Sequence, residues 1–193
     1  MKTITIHREQ PASSNQSSEK HHDKAAQGSS LLRPSPSFTG GLPPLSLYVH
    51  VPWCVQKCPY CDFNSHALKD GIPEEQYLQA LEADLIHHLP HIWGRSIQTV
   101  FIGGGTPSLL SAAAMDRLLS MLRNLLGIAP TIEITMEANP GTIEADKFKE
   151  FAASGINRLS LGIQSFNDAH LKLLGRIHDA AAAHRAIEIA QRY

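Results

Sequence analysis

No run of apolar residues in the 193-residue chain approaches the ~20 that a membrane-spanning helix needs. An excess of charge of one sign is missing too. The net charge is -1, so neither a nucleic-acid footprint nor a polybasic membrane patch is expected. The first residues, MKTITIHREQPASSNQSSEK, lack the apolar core of a secretory signal and carry acids. A chain without such a signal is expected to stay in the cytoplasm, where thiols remain reduced. Cysteine is scarce: there are 3, and all lie between Cys54 and Cys61. In a reducing compartment such a cluster points to metal or catalytic ligands rather than disulfides. What is present is an ordinary globular composition, 42% hydrophobic and 18% charged, long enough for one sizeable core.

Residues 1–44 read as a disordered tail. Ser, Gln, His and Lys dominate it, RPSPSFTGGLPP closes it, and it has too little apolar surface to offset the cost of ordering. His21 and His22 fall there and read as solvated. From residue 45 onward, strand-like and helix-like segments alternate. LSLYVHV (45–51), IQTVFIG (97–103), TIEITME (131–137) and INRLSLGI (156–163) read as strands. EEQYLQALEADLIHHL (74–89) reads as a helix with Tyr77, Leu78, Leu81, Leu85 and Ile86 on one face. Residues 111–127 read as a helix opened by Ser111 and stopped by Gly127. Residues 143–155 form another, stopped by Gly155, and 179–193 a last one.

Four successive β-α units imply a parallel sheet with helices outside, in a barrel or an open wound sheet. In either, chemistry belongs to the loops at the C-terminal strand ends. The cysteines, GGGTP, EANPG and IQSFN follow the four strands in turn. One fold would therefore gather them. Four units are few for a barrel of ~250 residues, so the chain reads as the N-terminal part of a longer protein.

Cys54, Cys58 and Cys61 are spaced CxxxCxxC. Pro52 and Pro59 argue against a continuous helix, so the three thiols converge in a loop. Two sites fit that spacing. One is tetrahedral zinc with His66 as the fourth ligand. The other is an iron–sulfur cluster in which three cysteines leave one iron open. Tyr60 and Phe63 flank the last cysteine and would limit water access to a cluster. His87, His88 and His91 crowd a helix end beside Pro90; haem-iron ligation is one reading, a solvated helix end the plainer one.

CVQKCPYC, set after a strand and followed by GGGTP, resembles the radical S-adenosylmethionine superfamily. YVHVPWC, CPYCDFNSH, FIGGGTPSLL, EANPGT, NRLSLGIQSF and LGRIH extend that resemblance from Leu42 to Tyr193. Within the superfamily they are similar to haem chaperones related to the oxygen-independent coproporphyrinogen dehydrogenase. The resemblance implies a partial (β/α) TIM-type barrel and a 4Fe-4S cluster on Cys54, Cys58 and Cys61. The fourth iron would chelate S-adenosylmethionine, and one electron would cleave its sulfonium to a 5′-deoxyadenosyl radical. It further implies haem as cargo, haem-acceptor proteins including membrane-associated ones, and an electron donor for the cluster.

The same resemblance carries the supporting residues. Tyr48 shares a strand face with His50 and would lie near cofactor and cluster. Tyr60 would flank them. Gly104 and Gly105, with Gly103, would let backbone meet the methionine amino group, and Thr106 lies at the same mouth. Glu137 would accept bonds from a ribose or an ammonium. Gln164 and Arg176 would belong to the S-adenosylmethionine and substrate region. One departure matters. The dehydrogenase has Gly-Cys after its last cluster cysteine, whereas Asp62 and Phe63 stand here. That favours the chaperone over the decarboxylase.

Overall fold

The computed structural model describes residues 42–92, 94–140 and 145–193. The tail expected over 1–44 lies outside the described residues as far as residue 41, as do His21 and His22. Among the described residues no helix is long and apolar enough to cross a membrane.

The centre is a four-stranded, wholly parallel sheet of β1 (Leu45–Val51), β4 (Ile97–Gly104), β5 (Ile128–Ala138) and β6 (Arg158–Leu161). Strand neighbours in space are successive units in sequence: Val49 pairs with Ile102, Ile102 with Met136, and Glu137 with Ser160. The order never reverses. Helices α1 (Glu74–His88), α2 (Ala112–Leu125), α3 (Ala145–Ser154) and α5 (Ala180–Arg192) connect or follow these strands. Helix α1 packs on α2, α2 on α3 and α3 on α5, so they line up along one face of the sheet. A doubly wound sheet would split them between two faces. One-sided helices on a sequential parallel sheet make an arc of a β/α barrel.

Strand alternation decides what each face does. In β1, Leu45, Leu47, Val49 and Val51 are buried, and they join Ile102, Ile134 and Met136 under the helices. Helix α2 contributes Met115, Leu118, Leu119 and Leu122 to the same core. Ser46, Tyr48 and His50 point the other way, into the concave side.

The helices form where their caps allow. Ser111 caps α2 by accepting from the Ala114 N–H at 3.1 Å. Its own N–H and hydroxyl donate to Glu74 at 2.6 and 2.7 Å, tying the start of α2 to the start of α1. Asp179 caps α5. Gly155, with φ +114°, ends α3 as expected. Gly127 does not play that part: α2 leaves the helix through extended Leu126. Residues 143 and 144 of the third expected helix lie outside the described residues. On α1, Leu78, Leu81 and Leu85 are buried and Tyr77 is partly so, but Ile86 is half exposed. At 100° per residue Ile86 lies more than 90° from the middle of that stripe.

Three features go beyond the sequence reading. Trp53–Cys54 (β2) and His66–Ala67 (β3) pair as a two-residue parallel ladder. A short helix, α4 (Asp168–Leu173), capped by Asn167, precedes α5. The last strand is only four residues, where eight were expected.

Candidate functional site

The four strands end together, and their loops enclose a cavity of about 220 Å³ at the C-terminal edge of the sheet. Cys54, Cys58 and Cys61 line it, together with Gly104, Gly105 and Glu137. Tyr60, Gln164 and Arg176 complete the wall, joined by Asn139 and Gly162. The fold thus brings all four loops to one place, as the β-α order demands.

The cysteine loop is closed by its ladder. The His66 N–H donates to the Pro52 carbonyl at 2.7 Å and the Leu68 N–H to the Cys54 carbonyl at 2.8 Å. Inside it, the Cys61 N–H turns back to the Cys58 carbonyl at 3.0 Å. Lys57 Nζ donates to the carbonyls of Phe63 and Ser65. These bonds tie the loop together. All three thiols are free. His66 is exposed, and among the described residues no three His, Cys, Asp or Glu side chains gather as donors to one ion. A multi-iron cluster binds each thiolate at a different iron, and three free thiols around one cavity suit that donor set.

On the concave face a polar set backs the cavity. The Gly104 N–H donates to Glu137 Oε2 at 2.9 Å. Gly104 has φ +110°, and a Cβ there would sit 2.5 Å from the His50 ring. Only glycine suits both constraints. His50 Nε2 donates to the Asn64 carbonyl at 2.9 Å, so Nδ1 is the acceptor for the Tyr48 hydroxyl at 3.1 Å when the ring is neutral. Tyr77 donates its hydroxyl to the His50 carbonyl at 2.6 Å. Burial lifts the Glu137 carboxyl above the usual carboxylate range, although the Gly104 N–H and His50 pull it back. Burial and the Glu137 charge push the Tyr48 hydroxyl up as well.

Two expected residues stand off the cavity wall. Thr106 is buried behind it, its hydroxyl accepting from Asn139 Nδ2 at 3.1 Å. Tyr48 lies beneath it, on His50. Arg176, by contrast, reaches in. Its Nη1 donates to Cys58 Sγ at 3.1 Å and to the Tyr60 hydroxyl at 3.4 Å. Its Nη2 donates to Asn139 Oδ1 at 2.5 Å and to the Gly162 carbonyl at 2.7 Å. Nε is buried without a hydrogen-bond partner among the described residues. Gln164 adopts φ +66°, unusual for a residue with a side chain. Beside it His178, buried, donates Nε2 to the Ile163 carbonyl at 3.0 Å. Burial lowers its pKa, so the ring stays neutral.

His50 and Asn139 take part in this network although sequence reasoning assigned them no role. Period-two alternation from Tyr48 was the signal for His50; Asn139 had only its place between Glu137 and Pro140. His87, His88 and His91 do cluster, with ring centroids 5.2 and 6.0 Å apart. They sit where α1 ends, and α1 runs back from the strands' C-terminal edge to the opposite one. The fold therefore places them away from the cysteine cavity.

The chain resembles known proteins over this same region. A family model described as the Radical SAM superfamily matches residues 48–193. The heme chaperone HemW of Escherichia coli is 58% identical over 149 residues, 77% of this chain and 39% of that one. HemW of Haemophilus influenzae is 56% identical over 154 residues, 78% of this chain and 40% of that one. The solved coproporphyrinogen III oxidase (HemN) of Escherichia coli, described as a radical SAM enzyme, superposes with a TM-score of 0.71 at 36% identity. That match covers 77% of this chain and 34% of that one. The chain thus spans about two fifths of the length of the curated relatives it matches. The partial β/α barrel, the cysteine cavity and the family match agree: the chain belongs to the radical S-adenosylmethionine superfamily.

Proposed function

We propose that this chain carries the cluster- and cofactor-binding part of a haem chaperone of the HemW kind. The observation that carries the reading is the cavity itself, which three free cysteines spaced CxxxCxxC line together with the Gly104–Gly105 loop and Glu137. Cys54, Cys58 and Cys61 would hold three irons of a 4Fe-4S cluster, leaving the fourth for S-adenosylmethionine. When bound, such a cluster supplies one electron to the sulfonium of that cofactor. Glu137, its carboxylate on the glycine loop, suits an ammonium group. The buried, unpartnered Arg176 Nε suits an acceptor on the ligand. Gln164 stands on the wall to bond the remaining polar edge. Thr106 and Tyr48 would act from behind, Thr106 through Asn139 and Tyr48 through His50 and Glu137.

Haem handling, rather than porphyrinogen decarboxylation, is supported by two comparisons. Identity is 58% to the chaperone and 39% to the oxidase of the same organism. Asp62 and Phe63 replace the Gly-Cys of the decarboxylase pattern. The cargo is then haem, handed to acceptor proteins that include membrane-associated ones, and a separate electron donor serves the cluster. A reducing, cytoplasmic setting suits three ligand thiols.

The test uses the full chain, reconstituted anaerobically and shown to hold its cluster. With coproporphyrinogen III, S-adenosylmethionine and a reductant, mass spectrometry should find no product short of two carboxyl groups. With haem, absorbance should show binding and passage to a haem-free acceptor. Decarboxylated product would make the protein a dehydrogenase and overturn the chaperone reading.

A further inference from the structure

Three loops meet at one guanidinium, and a fourth reaches it through Asn139. Thr106, from the loop after β4, accepts the Asn139 side-chain amide at 3.1 Å. Asn139, from the loop after β5, turns its Oδ1 to Arg176 Nη2. The Gly162 carbonyl, just after β6, accepts from the same nitrogen. The other nitrogen, Nη1, donates to Cys58 Sγ, in the loop after β1. The guanidinium is planar, so two acceptors on Nη2 fix where Nη1 points. Asn139 cannot turn over without cost: its nitrogen faces the buried Thr106 hydroxyl and its oxygen faces a cation. Gly162 leaves the room for this, because a Cβ there would sit 2.6 Å from Asn139 Oδ1 and 3.3 Å from Arg176 Nη2.

From this chain of contacts we infer that Asn139 is a positioning residue that holds Arg176 against the sulfur of Cys58, and so sets the reduction potential of the cluster. The inference rests on the cluster reading above. It differs from the expectation that Arg176 serves only the cofactor and substrate, for its nearest ligand-side partner here is a cysteine sulfur. A cationic donor on a cluster thiolate stabilises the state with one more electron, and hydrogen bonds to the sulfurs are among the levers on such potentials. In this scheme Asn139 acts through Arg176.

The experiment is an anaerobic redox titration of the reconstituted full chain, followed by electron paramagnetic resonance, with iron content measured in every sample. Asn139→Ala should keep its iron. At a fixed poise its ratio of reduced to oxidised cluster should fall about tenfold, which is 59 mV for a one-electron couple. Arg176→Ala should shift the same way by at least as much, and the double variant no further than Arg176→Ala alone, since Asn139 works only through Arg176. Gly162→Ala, which crowds Asn139 from the other side, should shift in the same direction and provides a second reading of the same contact. A loaded parent whose variants keep the parental potential overturns this inference alone, as does an Asn139→Ala shift that adds in full to that of Arg176→Ala. A parent that takes up no cluster overturns the functional reading and this inference with it.

Discussion

The two faces of the one parallel sheet have been built for different ends. Under the helices, Val49, Val51, Ile102 and Met136 are completely closed off by α1 and α2, and the packing is aliphatic. One residue away on the same strands, Tyr48, His50 and Glu137 are partly buried, Tyr48 bonded to His50 and Glu137 to the Gly104 N–H. Period-two alternation separates them, so that a strand can hold the fold with one side and back a polar cavity with the other. On the concave face the cost of polar burial is visible as the raised Glu137 carboxyl and as Arg176 Nε, which has no hydrogen-bond partner among the described residues.

The sharpest way to break that division is Cys58→Ala. With two thiols left, the cluster should be lost entirely, read as iron content and visible absorbance. The fold should stand, since Cys58 is not part of the buried core. Far-ultraviolet circular dichroism unchanged from the parent would show the separation. Retained iron would sink the ligand assignment.

The opposite cut is Leu118→Ala, in the middle of α2 and completely buried. It should cost about 2–5 kcal/mol of stability through lost burial and a residual cavity. Iron per folded chain at low temperature should not change. A stability loss under about 1 kcal/mol by chemical denaturation would mean the core collapses around the gap more fully than this packing suggests.

The smallest effect sharpens the comparison. Burial holds the Glu137 carboxyl above its ordinary range. Ionised Glu137 therefore costs the folded state stability above that raised pKa, and the cost fades as pH falls through it toward the ordinary value. Glu137→Gln should raise the melting temperature of cofactor-free protein near neutral pH and flatten its rise toward acid. S-adenosylmethionine binding should weaken about tenfold in the same variant, the loss of one charged hydrogen bond. In the parent, binding should weaken as pH falls through the raised value, because the carboxylate is the form that takes an ammonium. A variant that melts lower than the parent at neutral pH would contradict the assignment of strain to this carboxyl.

Much of this was readable from residues. The four strands and four long helices follow from alternating periods, and the cysteine spacing with the glycine loop marked the cavity wall. Short elements were less legible for physical reasons. The β2–β3 ladder has two residues per strand, too few to show a period. Helix α4 has six residues and depends on its Asn167 cap more than on an apolar stripe. Alternation from Tyr48 marked the face of His50 but not its Asn64 partner, and Asn139 is a single polar residue whose partners, Arg176 and Thr106, lie far off in sequence. Contacts of that kind leave no periodic trace. Ile86 misled because hydrophobicity alone does not fix the angle around a helix.

The most direct test of the account is the electron paramagnetic resonance spectrum of the reduced, reconstituted full chain with and without S-adenosylmethionine. If Cys54, Cys58 and Cys61 hold a 4Fe-4S cluster with one open iron, a reduced-cluster signal should appear, and adding the cofactor should shift it. A cluster signal indifferent to the cofactor, or bound zinc in place of iron, would contradict it.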